Sequence, residues 1–409
     1  MDIQPILAAM RRNKFGAILI CIQMAITLAV LCNAIFVIEQ RSAWIQRPTG
    51  VDEPNIFTMR NKWIGEPEQD AARTKRDLAA LRGLAGVADA YASNSYPLLG
   101  GGDSGNLGIH ADQRHPTATA SDYFADDHAL RTLGLKLVAG RNFSASEVID
   151  PTFAAEFFAR LQTVVIVSQP LAQALYPHES AVGKPVYLGI PHPATIVGVV
   201  ERLEGPYTRA GGYGSSFMGN SVLIPFRYAV PEIVYIVRAQ PGRLAGVMRD
   251  AQRLLTNADP LRVLRDVNAM SDTRRESHRD DYAFVLVLAA VCIIMLAVTA
   301  LGIVGLTSYW VTQRRRQIGI RRALGGTRID ILRYFQTENL LIAVMATLFG
   351  CALTVGFNLW AVSTFEMARL PYHYLAFGGA TILLLGQIAA FWPALRASLV
   401  PPALATRSV

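Results

Sequence analysis

Four long apolar runs constrain this chain more than anything else in it. Residues 15–38 read FGAILICIQMAITLAVLCNAIFVI without a single charge, and about 20 apolar residues wound as a helix cross the hydrocarbon layer of a bilayer. Residues 282–309 and 340–360 form a second and a third run, and 375–392 a shorter fourth punctuated by glycine. Lipid offers no partner to a bare peptide group, so runs of this kind cross as helices. The expected fold is an α-helical membrane protein with four transmembrane helices, and a large segment inserted between helices 1 and 2.

Charge sets the orientation. Arg11, Arg12 and Lys14 precede the first run, seven arginines lie between Arg314 and Arg333, and Arg396 and Arg407 follow the last. Short flanks rich in Lys and Arg stay in the cytoplasm, whereas a long loop is exported largely regardless of its charge. Residues 39–281 carry 26 basic and 27 acidic side chains, so the formal charge of +8 comes from the cytoplasmic fringe. The basic pI is therefore a topology signal, and no nucleic-acid partner is expected from it. The expected organisation is a cytoplasmic amphipathic helix over 1–14, spans at 15–38, 282–309, 340–360 and 375–392, and an exported domain over 39–281. A cytoplasmic coupling segment at 310–339, a short outer loop at 361–374 and a cytoplasmic tail at 393–409 complete it. A cleaved secretory signal has an apolar core of only about 7–15 residues followed by small residues. The first run is longer and ends FVIEQR, so it is expected to remain as an anchor.

Cys21, Cys32, Cys292 and Cys351 all fall inside the runs, so the exported domain is expected to fold without disulfides. Its pattern is mixed α and β. Residues 70–84 have helical apolar spacing, 164–167 and 194–200 are β-branched runs bounded by turn residues, and 170–176 suits a short helix. A strand at 234–237, a helix at 243–256 and a strand at 261–267 suggest a closing unit. Gly102-Asp103-Ser104-Gly105 is similar to a serine-protease nucleophile loop, yet His110, His115 and His128 stand in no recognisable histidine motif. A turn explains it better. HExxH, CxxC and GxxxxGK[ST] patterns are absent, so this chain is expected to bind no metal or cofactor and to catalyse nothing itself.

The glycine-rich stretch 205–220 reads first as a solvent-exposed hairpin loop. A sharper reading makes Tyr207, Tyr213, Phe217 and Met218 a contact loop for a periplasmic partner. Within the spans, Gln23, Thr27, Asn33 and Gln387 are candidates for hydrogen bonds between helices, and Ala25, Ala29, Gly302 and Gly305 for close packing at a dimer or intrachain seam.

Between the second and third runs lies QRRRQIGIRRALGGTR, residues 313–328. Ile318, Ile320, Ala323 and Leu324 are read as a short apolar face, while Arg314, Arg315, Arg316, Arg321 and Arg322 can meet acidic groups or lipid phosphates. Gly325-Gly326 is expected to end the helix, and Thr327 to cap a new one beginning near Arg328. Arginines that merely fix topology and hold anionic lipid, at about 1 kcal/mol each, would need no Ile-Gly-Ile or Ala-Leu-Gly-Gly.

These motifs carry a resemblance over nearly the whole chain. The segment 315–341 resembles the signature of FtsX-like permeases of the MacB type. In the exported half, Asp122-Tyr123-Phe124, residues 133–143, 172–177 with 181–185, and 196–201 are similar to the family's successive elements, and 392–397 with 401–405 to its ending. The resemblance implies a mixed α+β periplasmic core domain between helices 1 and 2, in a dimeric, multi-pass protein of the bacterial inner membrane with both termini cytoplasmic. It implies a permease subunit of an ABC transporter, with ATP and Mg bound on a partner. Because the chain starts at Met1-Asp2-Ile3 where MacB starts with its ATPase, the cytoplasmic ABC ATPase is expected on a separate chain. Arg315, Arg316, Ile318, Gly319, Ile320, Arg321, Arg322, Ala323, Leu324 and Gly325 would couple that ATPase to the membrane by mechanotransmission. Further implied partners are a second copy or a related permease, a periplasmic adaptor with an outer-membrane duct, and membrane lipids. Efflux or extraction of a peptide, antibiotic or lipoprotein is the implied activity. The alternatives are an FtsX-like signalling scaffold that regulates a periplasmic cell-wall hydrolase, and an anchored sensor or periplasmic enzyme with no ATPase.

Overall fold

The structure is a computed structural model that describes residues 14–65, 69–111, 113–149, 164–190, 192–208, 214–227, 232–365 and 368–399. The amphipathic segment expected before Lys14 and the tail beyond Leu399 lie outside them. The chain divides into a membrane unit, Met1–Ile45 with Asp281–Val409, and an inserted unit, Gln46–Asp280.

The inserted unit is built on two sheets. In the first, β1 (Ile56–Trp63), α2 (Asp70–Gly83) and β2 (Val87–Ser93) open the unit, the long helix α1 (Lys14–Ile45) having preceded them. β10 (Glu232–Ala239), α5 (Leu244–Ala258) and β11 (Arg262–Ala269) close it. The strand order is β11-β1-β10-β2, antiparallel throughout. Each strand-helix-strand crossover leaves a gap that a strand from the other fills, so the start and the end of the domain are woven into one sheet. Alternation along β1 turns Phe57 and Met59 toward Leu78 and Leu81 of α2 and Val247, Ala251 and Leu255 of α5. Each fully buried side chain of that size contributes roughly 1.5–3 kcal/mol. From α2, buried Asp77 accepts bonds of 2.8 and 2.9 Å from Arg262 of β11 and one of 2.6 Å from the Tyr235 hydroxyl of β10. The Arg262 guanidinium lies 4.3 Å from the Trp63 ring centroid.

The second sheet holds β3 (Ser104–Leu107), β4 (Ala118–Ala125), β5 (Leu137–Gly140), β6 (Val164–Ser168), β7 (Pro185–Tyr187), β8 (Pro193–Val200) and β9 (Ser221–Pro225). Its order is β3-β4-β9-β6-β8-β5, with β7 on the same strand β8. Gly108 and Tyr187 exchange backbone hydrogen bonds of 3.0 and 2.9 Å, which curls the sheet back from β7 to the end of β3. α3 (Ala129–Leu133) packs on β2 and β10 of the first sheet, and α4 (Gln169–Leu175) on β4, β6 and β8 of the second. Ile56, Tyr91, Val234 and Ile236 of the first sheet meet Tyr123, Ile166 and Leu223 of the second in one shared core. The mixed α+β class expected from the sequence is what folds, and its expected helices and strands appear within a few residues of their predicted limits.

After α6 (Met270–Ser277) the chain returns to the membrane unit as α7 (Arg279–Gln313), α8 (Arg315–Ala323), α9 (Arg328–Phe365) and α10 (Tyr372–Ser398). Among the described residues, α1, α7, α9 and α10 are the four helices long and apolar enough to span a bilayer. Ile20, Met24 and Leu28 of α1 pack with Ile303 of α7, Ile342, Ala343 and Ala346 of α9 and Ile382 and Ala390 of α10. A Cβ on Gly378 would stand 2.3 Å from the Cys32 sulfur, so that glycine is what lets α1 and α10 approach. Gln23 donates to the Val298 carbonyl at 3.0 Å, and the Thr27 and Thr299 hydroxyls lie 2.8 Å apart, tying α1 to α7. Asn33 instead bonds Ala29 of its own helix, and the Gln387 amide nitrogen is buried without a partner. Gly302 lies under Gln23, whereas nothing packs over Gly305.

Gly140 adopts φ 75°, and a Cβ there would lie 2.1 Å from the Val197 carbonyl oxygen. Gly140→Ala is expected to destabilise the inserted unit by more than about 2 kcal/mol. Gly246→Ala, in open space on α5, is expected to stabilise by about 0.5 kcal/mol. Denaturant midpoints of the two purified variants, read by protease resistance, check both signs.

Candidate functional site

The basic segment between the second and third spans forms the candidate site. α7 and α8 are separated by one residue, Arg314, whose φ of −100° and ψ of 10° lie off the helical values. Its Nη1 donates to both carboxylate oxygens of Glu338 on α9, at 2.8 and 3.1 Å. Charge-assisted bonds of this kind are strong where water is excluded.

α8 then presents two different faces. Ile318 and Gly319 are buried, Ile318 against Val311, Ile331, Phe335, Ala394 and Ala397. Ile320 is 47% exposed and Leu324 83%, with Ala323 exposed beside them. The single apolar face expected from the sequence is therefore corrected. Residues two apart on a helix do not share a face, whereas those three and four apart do. Ile318 anchors the helix from within, and Ile320, Ala323 and Leu324 form the outward patch. Arg315, Arg316 and Arg321 are exposed around it. Arg321 lies over the Tyr334 ring at 5.1 Å, and Arg322 donates to the Ser398 carbonyl at 3.3 Å.

Both ends of the following turn are closed by hydrogen bonds. The Gly326 N–H reaches the Arg321 carbonyl at 3.0 Å and the Gly325 N–H the Arg322 carbonyl at 3.2 Å, with Gly325 at φ 97°. This is the pairing that ends a helix through a left-handed glycine. Thr327 then caps α9: its Oγ1 accepts from the Asp330 N–H at 3.2 Å, while an Asp330 oxygen accepts from the Thr327 N–H at 3.1 Å. The two motifs aim α8 and α9 with little slack.

The second candidate, the periplasmic contact loop, is also corrected. Tyr207, Phe217 and Met218 are buried, with Tyr207 edge-on to Phe217 at 5.7 Å and its hydroxyl donating to Gly102 at 3.1 Å. Close packing has drawn these three side chains inward, where an exposed loop was expected. Tyr213 lies outside the described residues. Ser104 begins strand β3, and His128 lies with Nδ1 2.9 Å from Asp89. No group of three or more potential metal ligands clusters among the described residues.

Motif residues of the inserted unit make internal contacts. Tyr123 is buried and donates to the Glu204 carbonyl at 2.7 Å, and Arg141 holds Glu147 through bonds of 2.6 and 2.7 Å. Burial, and then the carboxylate of Asp103, push the Asp122 carboxyl up to about 7.

Comparison with known proteins identifies the class. The model of the MacB-like periplasmic core domain matches residues 19–254, and that of the FtsX-like permease C-terminal region matches 289–402. The first alone covers more than half of the chain, which belongs to the MacB-type, FtsX-like permease family. The macrolide export ATP-binding/permease protein MacB of Chromobacterium violaceum is 26% identical over 96% of this chain and 58% of its own length. The uncharacterized ABC transporter permease YknZ of Bacillus subtilis is 23% identical over 82% of this chain and 79% of its own. Two further MacB relatives are covered over 42% and 40% of their length, so the chain spans about half of the curated MacB proteins it matches. The periplasmic region of MacB from Actinobacillus actinomycetemcomitans aligns with 57% of this chain and 97% of its own, at 15% identity and a TM-score of 0.34.

The raised Asp122 sets the sign of a pH dependence. Its folded value lies above the ordinary carboxyl value near 4, so its contribution to stability is full below about pH 4 and is lost as pH rises through about 7. Asp122→Asn is expected to flatten that slope and to make the domain relatively more stable at pH 8 than at pH 5, as read by denaturant midpoints at the two pH values.

Proposed function

We propose that this chain is the permease subunit of an ABC transporter in the bacterial inner membrane, with the inserted unit in the periplasm and α8 in the cytoplasm. A cytoplasmic ABC ATPase docks on α8, and ATP hydrolysis there drives rearrangement of a permease dimer. The inserted units carry the motion to a substrate of the peptide, antibiotic or lipoprotein class, together with an adaptor and an outer-membrane duct. The supporting observation is the outward patch Ile320, Ala323 and Leu324. An 83% exposed leucine, held rigidly between a glycine stop and a buried anchor, is suited to a pocket on a partner. Exposed Arg315, Arg316 and Arg321 around it suit an acidic rim. Family membership supports the same reading, because its named relatives are transporter components. In the cytoplasmic setting, the seven arginines of 314–333 follow the positive-inside rule.

Affinity purification of the tagged chain from native membranes, with mass spectrometry of what copurifies, tests the proposal. A stoichiometric ABC ATPase is expected, and a cell-wall hydrolase in its place would favour the FtsX-like scaffold. Leu324→Asp should abolish that copurification while the chain still folds, since burying a carboxylate in an apolar pocket costs several kcal/mol. The double reversal Arg321→Glu with Arg322→Glu should weaken it, and more so at low salt. Full ATPase recovery with Leu324→Asp would sink the docking assignment.

A further inference from the structure

Resting on the permease reading above, we propose that Arg314 and Glu338 form a positioning pair. The pair sets the angle at which α8 leaves the second span, so that force arriving at α8 enters α7 and α9 together.

The geometry begins at the backbone. The Arg314 N–H bonds the Trp310 carbonyl and the Ile318 N–H bonds the Arg314 carbonyl, both at 3.0 Å. The helical ladder thus runs up to the break and resumes after it, and a single residue's φ and ψ take up the change of direction. A one-residue joint is soft unless something outside the backbone holds it. Here the side chain of the joint residue is itself the fastener. Its guanidinium reaches across to the third span, where Glu338 lies ten residues inside α9.

Burial distinguishes this pair from the other ion pair described within the membrane unit. The Arg314 and Glu338 side chains are 11% and 3% exposed, against 32% and 11% for Arg41 and Asp281. Removing both charges from water carries a desolvation penalty that a well-packed apolar pair would avoid. Stability alone is therefore a weak reason for charges at this place. A carboxylate facing a guanidinium adds what an apolar contact lacks, a preferred direction. The far end of α8 is fastened less firmly, by Arg321 over Tyr334, one turn before Glu338, and by Arg322 to Ser398 on α10. α8 is hinged at a buried pair and braced at its tip, an arrangement fit to pass a push from its outward patch into two spans at once.

The test measures the angle without any ATPase. Cys21, Cys32, Cys292 and Cys351 are replaced by Ala, spin labels are placed at Leu324→Cys and Phe391→Cys, both on exposed positions, and the distance distribution is read by pulsed dipolar spectroscopy. Glu338→Gln and the double variant Arg314→Met with Glu338→Met are expected to broaden it, and Arg314→Lys to keep most of its sharpness. The double variant has no orphaned charge and should keep its thermal midpoint, so broadening there is not unfolding. In unlabelled chains, the same two variants should retain the copurifying ATPase but lose about fivefold or more of its stimulated hydrolysis, the low end of ordinary inter-site coupling. A distribution as sharp in the double Met variant as in the parent would overturn the positioning role. Broadening with full hydrolysis would overturn the role in force transfer. Absence of any ATPase from the parent chain would count against the permease reading, and the distance result would stand apart from it.

Discussion

A peptide group in lipid has no water to bond, and the shape of the membrane unit follows from that constraint. α1, α7, α9 and α10 run unbroken for 32, 35, 38 and 27 residues. A straight helix can turn only where its backbone groups find other partners. Between α7 and α9 the chain does so twice, at Arg314 and at Leu324 to Thr327, and each place is closed by named hydrogen bonds. The segment that is free to change direction is thus also the segment whose direction is most fully specified.

The inserted unit meets a different constraint, since its core must hold without a disulfide. Its answer is topological. β1 and β11 are antiparallel neighbours with Phe57 opposite Ala269, so the chain comes in and leaves at one end of the first sheet. Arg274 on α6 grips Glu53 through bonds of 2.6 and 2.7 Å, joining the segment before β1 to the one after β11. Within the membrane unit, Arg41 and Asp281 join the end of α1 to the start of α7.

Much of this was readable in the amino-acid order, for identifiable reasons. The spans are long and uncharged, and length is a property a window of sequence contains. The strands at 164–168 and 193–200 carry β-branched runs, and α2 and α5 carry helical spacing, so both were legible locally. The interleaved strand order was not, because β10 is separated from its neighbours β1 and β2 by well over a hundred residues and nothing local marks the pairing. The stretch 205–220 misled for a related reason. Glycine density announces a turn, but the hydroxyl of buried Tyr207 finds its acceptor at Gly102, which is distant in sequence. Asn339, which bonds the Gly386 carbonyl at 2.8 Å, sat beside the expected start of the third span, and polarity at a helix end draws no attention.

The arginines show most sharply what charge counting loses. Seven of them between 314 and 333 give one topology signal, and each contributes to it equally. In the fold their environments diverge. Arg314 is nearly buried and bound to Glu338, Arg322 reaches the end of α10, Arg321 lies over an aromatic ring, and Arg315 and Arg316 face outward. A helical period of about 3.6 residues deals consecutive residues to different faces, so a run of like residues is necessarily divided among different tasks. Ile318 and Ile320 are divided in the same way, one inside and one outside. The run of arginine and isoleucine is one element in the sequence and at least two in space: an anchor that holds the helix and a surface that remains available.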